Sequence, residues 1–171
     1  GEVIRALEDC KKAGKVRAIA YSGENEALAY AAQTGVFDSL MCSINLYDQQ
    51  SLQTLLPAYP QLGVIAKRAL ANAPWRFSKQ PIGDYAEAYW KRAQAMQLEL
   101  MLADMGMSWG ELALRFAAFN PIVDCAITGS LNLEHLERNQ EWVANGPLPE
   151  AIYQAITARF IACGADWQGE V

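Results

Sequence analysis

The alternation of short apolar strands with helical segments most constrains what this chain can fold into. Strands are predicted at residues 16–21, 39–45, 62–67 and 122–128, and each is followed by a helical segment. Alternating β and α units at this spacing indicate a parallel sheet covered by helices. Because a helix precedes the first strand, the four units resemble the second half of an eight-unit barrel. We therefore expect an α/β fold, a parallel half-barrel, in a single domain over residues 1–171.

Hydrophobic periodicity and capping residues give the helical segments. Helices are predicted at 1–14, 24–34, 49–56, 84–105, 109–119, 132–144 and 149–163. Ser108 and Glu111 form a candidate capping box for the fifth of these. The connection over residues 68–83 is long, which is typical of a functional loop. The loop and the next helix are rich in aromatic residues. We expect these residues to pack in the core; the alternative is that the loop folds over a bound ligand.

Composition excludes several classes of function. The net charge is −5 and no basic cluster occurs, so we expect no nucleic-acid partner. No apolar run approaches the ~20 residues that span a bilayer, so we expect no membrane segment. The cysteines are far apart and lack a C-x-x-C spacing, which predicts reduced thiols in a cytoplasmic protein. The single histidine, His135, cannot build a metal site alone.

Five segments, in order along the chain, resemble the second half of the aldo-keto reductases. They are Gly-Lys-Val-Arg-Ala-Ile-Ala-Tyr-Ser-Gly at 14–23, Ser-Ile-Asn at 43–45, Gly-Val-Ile-Ala-Lys-Arg-Ala-Leu at 63–70, Leu-Ala-Leu-Arg-Phe at 112–116, and Ala-Ile-Thr-Gly-Ser at 126–130 followed by Glu134, His135, Leu136 and Asn139. The resemblance implies a (β/α)8 barrel. It also implies an oxidoreductase family that reduces aldehydes and ketones with NADPH, less often with NADH.

The resemblance also implies what this chain does not carry. In the family the proton-donating tyrosine, its lysine and aspartate partners and a nearby histidine belong to the first half of the barrel, which no segment here matches. The second half holds most of the cofactor. We therefore expect NADP, with NAD as an alternative, and no catalytic residue in this chain.

The first two matched strands imply contacts to the nicotinamide carboxamide. Ser22 stands where the family has a serine that binds this group, although Gly23 replaces the asparagine that follows it. The alternative for Ser22 is an ordinary serine in the turn before a helix. Asn45 either reaches the carboxamide or ties its own loop. A glutamine expected on this strand is replaced by Met41.

The third matched strand ends in two cations. Lys67 stands where the family often stacks an aromatic ring on the nicotinamide, and Arg68 follows it. Two cations at a strand end favour a pyrophosphate, and the alternative is a solvated basic pair. Leu70 offers backbone groups to the same phosphates.

The fourth matched strand leads into a helix N-terminus, which favours an anion. The resemblance implies that this turn and helix bind the 2′-phosphate and adenine of NADPH. The residues concerned are Gly129, Ser130, Asn132, His135, Arg138 and Asn139. Asn132 is either an N-cap or a phosphate contact, His135 stands where many members have an arginine, and Asn139 matches the adenine contact. The alternative is an ordinary capped surface helix.

A free-standing half-barrel has two unpaired sheet edges, which invite pairing with another chain. We expect its open face to be apolar and formed by Ala18, Ala20, Cys42, Ile44, Val64, Ala66 and Ala126. We therefore expect a homo-oligomer or a complementary half-barrel chain. The open alternatives for function are a cofactor-binding half of a reductase, a dinucleotide-binding module without catalysis, and a structural half-barrel that self-assembles.

Overall fold

The computed structural model describes residues 1–102 and 106–171. In this part of the chain four parallel strands form one sheet in the order β1-β2-β3-β4. The strands are β1 Ala20–Ser22, β2 Ser39–Ser43, β3 Gly63–Lys67 and β4 Cys125–Ala126. All four therefore point their carboxyl ends towards the same side of the sheet.

Helices connect the strands and follow the last one. They are α1 Glu2–Lys12, α2 Asn25–Thr34, α3 Gln50–Thr54, α4 Glu87–Met96, α5 Leu98–Leu102, α6 Trp109–Ala118, α7 Leu133–Ala144 and α8 Glu150–Cys163, with 3-10 turns at Leu56–Ala58 and Pro74–Arg76. The Ser108 hydroxyl accepts the Glu111 N–H at 3.2 Å, so Ser108 is confirmed as the cap of α6. The Glu111 carboxylate, the other half of the predicted capping box, accepts instead from Arg115 at 2.8 Å and from Asn145 at 2.9 Å. None of the helices described here is long and apolar enough to cross a membrane.

One face of the sheet packs against α1, α2 and α3 and forms the first core cluster. Cys42, Val64 and Ala66 are fully or almost fully buried there. Of the residues we expected on the open face, Ala18 and Ala20 are exposed, whereas the remaining five lie on this helix-covered side, so that expectation was wrong for them. The pleat of a strand makes successive side chains point to opposite faces of the sheet. It does not determine which of the two faces is covered by the helices.

The opposite face carries one polar and three apolar side chains in the row that crosses all four strands. Ser22, Met41, Ile65 and Cys125 lie side by side in register across the four strands. A second core cluster lies away from this face, among α4, α6 and α8, around residues such as Tyr89, Phe116 and Phe160.

Three predicted elements differ most in length from those observed. The first and last strands are shorter than the predicted 16–21 and 122–128, since residues 20–22 and 125–126 are the ones that pair with a neighbouring strand. The predicted helix over 84–105 ends at Met96, where Gln97 adopts a left-handed φ of 47°, and α5 begins at once. The part of that predicted helix at 103–105 lies outside the described residues.

Candidate functional site

A buried carboxylate organises the carboxyl ends of β1, β2 and β3. Glu24 Oε1 accepts the backbone N–H and the hydroxyl of Ser43, both at 2.8 Å. The Lys67 ammonium lies 3.1 Å from the same oxygen and donates to the Ser22 hydroxyl at 3.4 Å. Parallel strands bring these residues together because their ends meet at one rim. We call Ser22, Glu24, Ser43, Lys67 and Arg68 the Glu24 cluster.

Arg68 is the second cation of this cluster. Its Nη1 donates to the Ser43 hydroxyl at 2.8 Å and to the Glu170 carbonyl at 2.6 Å, and lies 3.6 Å from Glu24 Oε1. Protein groups therefore bind both Lys67 and Arg68. The two residues do not form the solvated basic pair that the sequence left open as an alternative to a pyrophosphate site. The three charges sum to about one positive charge beside the cleft described next.

A cleft of about 790 Å3 opens between the loop after β3 and the turn after β4. The predicted residues on its wall are Arg68, Leu70, Gly129 and His135. The loop backbone turns tightly here, since Ala71, Asn72 and Ala73 have φ of 48°, 56° and 52°. Such left-handed positions are strained for residues other than glycine and cluster at functional sites.

A second cleft of about 490 Å3 adjoins the first and shares Leu70, Arg76, Gly129 and His135 with it. It also contains three further predicted residues, which are Ser130, Arg138 and Asn139. Three tryptophans, Trp75, Trp109 and Trp142, complete its wall, and the first two stack with ring centroids 6.4 Å apart. The aromatic residues of the long connection thus serve this wall as well as the core.

The turn after β4 is held by its own side chains. The Ser130 hydroxyl accepts the Asn132 N–H at 3.0 Å and lies 3.4 Å from His135 Nδ1. Asn132 Oδ1 accepts the Glu134 N–H at 2.9 Å, so Asn132 is the N-cap of α7, one of the two roles predicted for it. Asn139 is almost buried and donates to the Thr128 hydroxyl at 3.3 Å.

Asn45 lies apart from both clefts. It is fully buried, and its Oδ1 accepts the Tyr47 N–H at 2.9 Å. Its backbone forms an isolated bridge with Asp48, a buried residue that accepts a hydrogen bond from the Tyr89 hydroxyl at 3.1 Å. Burial raises the pKa of Asp48 to about 6. The geometry of Asn45 therefore matches the loop-tying role.

Gly23 is surrounded closely by the Tyr21 side chain. A Cβ at residue 23 would lie 2.6 Å from Tyr21 Cε1 and 2.9 Å from its hydroxyl oxygen. The Tyr21 ring in turn packs against Phe37, with centroids 5.5 Å apart. The ring therefore takes the space into which an asparagine at 23 would extend.

Sequence reasoning missed Glu24, Arg76 and Glu170. Glu24 stands two residues after the end of β1, and this position was a usable signal, because residues at the carboxyl ends of barrel strands form the site. Arg76 stands in a loop and Glu170 far along the chain, and no local pattern connects either residue to the sheet.

The model of the Aldo/keto reductase family matches residues 1–159. The chain belongs to the aldo/keto reductase family. No curated protein sequence matches it significantly. Among solved structures it is similar to aldo-keto reductase AKR11C1 from Bacillus halodurans, with a TM-score of 0.70 and 18% identity over 91% of this chain and 54% of that one. It is also similar to the glycerol dehydrogenase AKR11B4 from Gluconobacter oxydans, with a TM-score of 0.70 and 19% identity over 95% of this chain and 54% of that one.

The aldo/keto reductase fold of this chain is thus that of half a barrel. It spans about half the length of these structural relatives, and its four parallel strands with flanking helices correspond to that half.

Proposed function

We propose that this chain is the cofactor-binding half of an NADP(H)-dependent aldo/keto reductase. The observation that carries the proposal is the continuity of the two clefts, which share a wall and run from Arg68 at the sheet rim to Asn139 on α7. A dinucleotide is an elongated ligand with phosphates at its centre, and a continuous cleft with cations along it suits such a shape.

The phosphate and adenine portions of the ligand fit the residues present. Arg68 and Arg76 face the first cleft, where a pyrophosphate would lie. His135 and Arg138 lie beside the second cleft, where a 2′-phosphate would be bound and where NADP would be distinguished from NAD. Trp75 and Trp109 offer flat apolar surfaces to the adenine ring.

The nicotinamide portion fits less well, which supports a second candidate function. Bound NADPH would supply a hydride, but Lys67 is paired with Glu24 where the family often has an aromatic ring. Gly23 and Met41 offer no amide. The alternative is a half-barrel that binds the dinucleotide without transferring hydride.

The proposal includes a partner that completes the barrel. The outer edges of β1 and β4 pair with no other strand among the described residues, and unpaired edges favour strand addition. The partner is a second copy of the chain or a complementary half-barrel. Free thiols at Cys10, Cys42, Cys125 and Cys163 suit the reducing cytoplasm that we propose as its location.

Calorimetric titration with NADPH and with NADH tests the proposal, on protein whose mass has been measured by light scattering. We expect saturable binding that is tighter for NADPH. Arg138→Ala should weaken it by about tenfold, as for the loss of one charge-assisted contact, and should reduce the preference for NADPH. Arg17→Ala is the matched control, because Arg17 is exposed and precedes β1, at the amino ends of the strands and away from the clefts. Absence of binding by a folded oligomer would refute the proposal and leave the structural half-barrel.

A further inference from the structure

Residues 167–170 lie across the carboxyl ends of the sheet and contact the Glu24 cluster; we call them the strap. Gly169 is buried, and its N–H donates to Asn25 Oδ1 at 2.7 Å. Asn25 Nδ2 donates in return to the Gly169 carbonyl at 2.9 Å. One side chain thus satisfies both polar groups of this residue, so the strap is seated by specific hydrogen bonds.

The strap approaches the sheet so closely that residue 169 has little room for a side chain. A Cβ at Gly169 would lie 3.0 Å from Glu24 Oε2 and 3.3 Å from Asn25 Oδ1. Asn25 itself has a left-handed φ of 54°, a conformation that asparagine tolerates better than most residues. Local conformation on both sides of the contact therefore suits the docked strap.

Further contacts fix the strap at both ends. Arg92 donates to the Gln168 carbonyl and to Glu170 Oε1, both at 2.6 Å, and its guanidinium lies 5.2 Å from the centroid of the Trp167 ring. The Glu170 N–H donates to Asp48 at 3.0 Å. The Glu170 carboxylate is therefore matched by Arg92, and only the neutral carbonyl of Glu170 is presented to Arg68.

This carbonyl decides how the Arg68 guanidinium is oriented. Nη1 carries two hydrogens, and its two acceptors are the Ser43 hydroxyl and the Glu170 carbonyl. With both hydrogens donated to neutral acceptors, the guanidinium plane is fixed, and the carboxylate oxygen near it, Glu24 Oε1 at 3.6 Å, is shared with Lys67. The Nε and Nη2 edge of Arg68, which can bind an oxyanion in a bidentate manner, has no acceptor among the described residues.

We infer that the strap is a positioning element, which holds the Arg68 guanidinium so that its free edge binds a phosphate in the adjoining cleft. The inference rests on the proposed function, since the phosphate meant is the dinucleotide's pyrophosphate. Arg68 lines that cleft beside Leu70 and Gly129. Holding the side chain beforehand lowers the entropy lost on binding, which raises affinity without a new ligand contact.

Asn25→Gly tests the inference, because glycine accepts the positive φ and removes only the two hydrogen bonds to Gly169. Gln97→Gly is the matched control, since Gln97 is exposed at a positive φ between α4 and α5. Gly169→Val is a second variant that displaces the strap by its bulk. For both strap variants we expect the Kd for inorganic pyrophosphate and for NADP+ to rise by about tenfold, with no change in the control.

Nitrogen-15 NMR signals of the Arg68 side chain give a readout that needs no ligand. Separate Nη signals in the unmodified chain and averaged ones in the strap variants would support the inference. Identical Arg68 signals in all proteins, or an unchanged or lower Kd after strap release, would overturn it, and a lower Kd would mean that the strap competes with the ligand. If the unmodified chain binds neither pyrophosphate nor NADP+, the proposed function fails, and the Arg68 signals alone decide whether the strap fixes the side chain.

Discussion

The Glu24 carboxylate and Ser43 are joined by two hydrogen bonds to a single oxygen, one from the Ser43 backbone N–H and one from its hydroxyl, both at 2.8 Å. Both residues are buried, so these groups have no access to bulk water. The same carboxylate faces Lys67 and Arg68, which remain partly exposed. Hydrogen bonding and charge at Glu24 can therefore be separated by mutation.

Glu24→Gln should lower the free energy of unfolding by no more than about 1 kcal/mol, because the amide oxygen still accepts from Ser43 and the two cations keep part of their hydration. Glu24→Ala should lower it by about 2–4 kcal/mol, because the buried Ser43 N–H and hydroxyl lose their acceptor. Urea unfolding of the three proteins measures both values. Equal losses in the two variants would show that the charge, rather than the hydrogen bonds, is the dominant contribution.

Asp48 should make the fold less stable as the pH rises from about 4 to 7. Its pKa in the folded chain is about 6, above the ordinary value of 3.8, so the folded state binds more protons than the unfolded state in this window. The loss attributable to this one group is at most about 3 kcal/mol. Unfolding free energies measured across this pH range should fall in the unmodified chain and fall less in Asp48→Asn.

Asp38→Asn is the control for that experiment, because Lys11 lowers the pKa of Asp38 and its contribution is lost only as the pH falls. It should flatten the acid side of the profile and leave the range from pH 5 to 7 unchanged. The same slope in that range for Asp48→Asn and the unmodified chain would refute the prediction for Asp48.

Gly110→Ala should destabilise the contact between α6 and α7. A Cβ at Gly110 would lie 2.5 Å from Trp142 Cη2, so the two helices or the ring must move. Overpacking of this kind lowers the free energy of unfolding by about 1–3 kcal/mol. Gly129→Ala is the matched control, because no atom lies within 4 Å of its Cβ position. Thermal unfolding should separate the two variants, and similar melting temperatures would contradict the prediction.

Asn132 allows capping and ligand binding to be distinguished. Asn132→Ala should lower the free energy of unfolding by about 1 kcal/mol, since the N-cap acceptor of α7 is lost. Asn132→Asp keeps an acceptor but adds a negative charge to the turn, so stability should be retained while NADP+ binds more weakly. Unfolding and calorimetry on the same samples measure both effects. Unchanged NADP+ affinity in Asn132→Asp would place the phosphates away from this turn.

Some elements could be predicted from local sequence because their signals are local. The last two helices begin and end within about one residue of the prediction, with Asn132 as a cap and the segment 145–149 between them. The break at Gln97 could not be predicted, because Tyr89, Ala93, Met96 and Leu100 keep helical spacing across it. Only tertiary burial distinguishes Leu98, which is 1% exposed, from Leu100, which is 74% exposed.

The candidate site also contains residues that local sequence predicts and residues that it does not. Residues that directly follow a predicted strand, such as Ser22, Arg68 and Gly129, could be placed at the rim from the parallel pattern alone. The face that each strand turns to the helices, and the contact of Glu170 with Arg68 across 102 residues, depend on the folded chain. Neither is encoded in any short window of sequence.

The Tyr21 ring beside Gly23 has a consequence for how this chain can evolve. An amide side chain at residue 23 requires the Tyr21 ring to move, because the ring occupies its space and would have to leave its contact with Phe37. A smaller residue at Tyr21 would free that space, and by itself it loses the aromatic contact with Phe37 without adding a polar group. The side chains at residues 21 and 23 are therefore coupled, so that either order of change passes through a chain that has lost the contact between Tyr21 and Phe37.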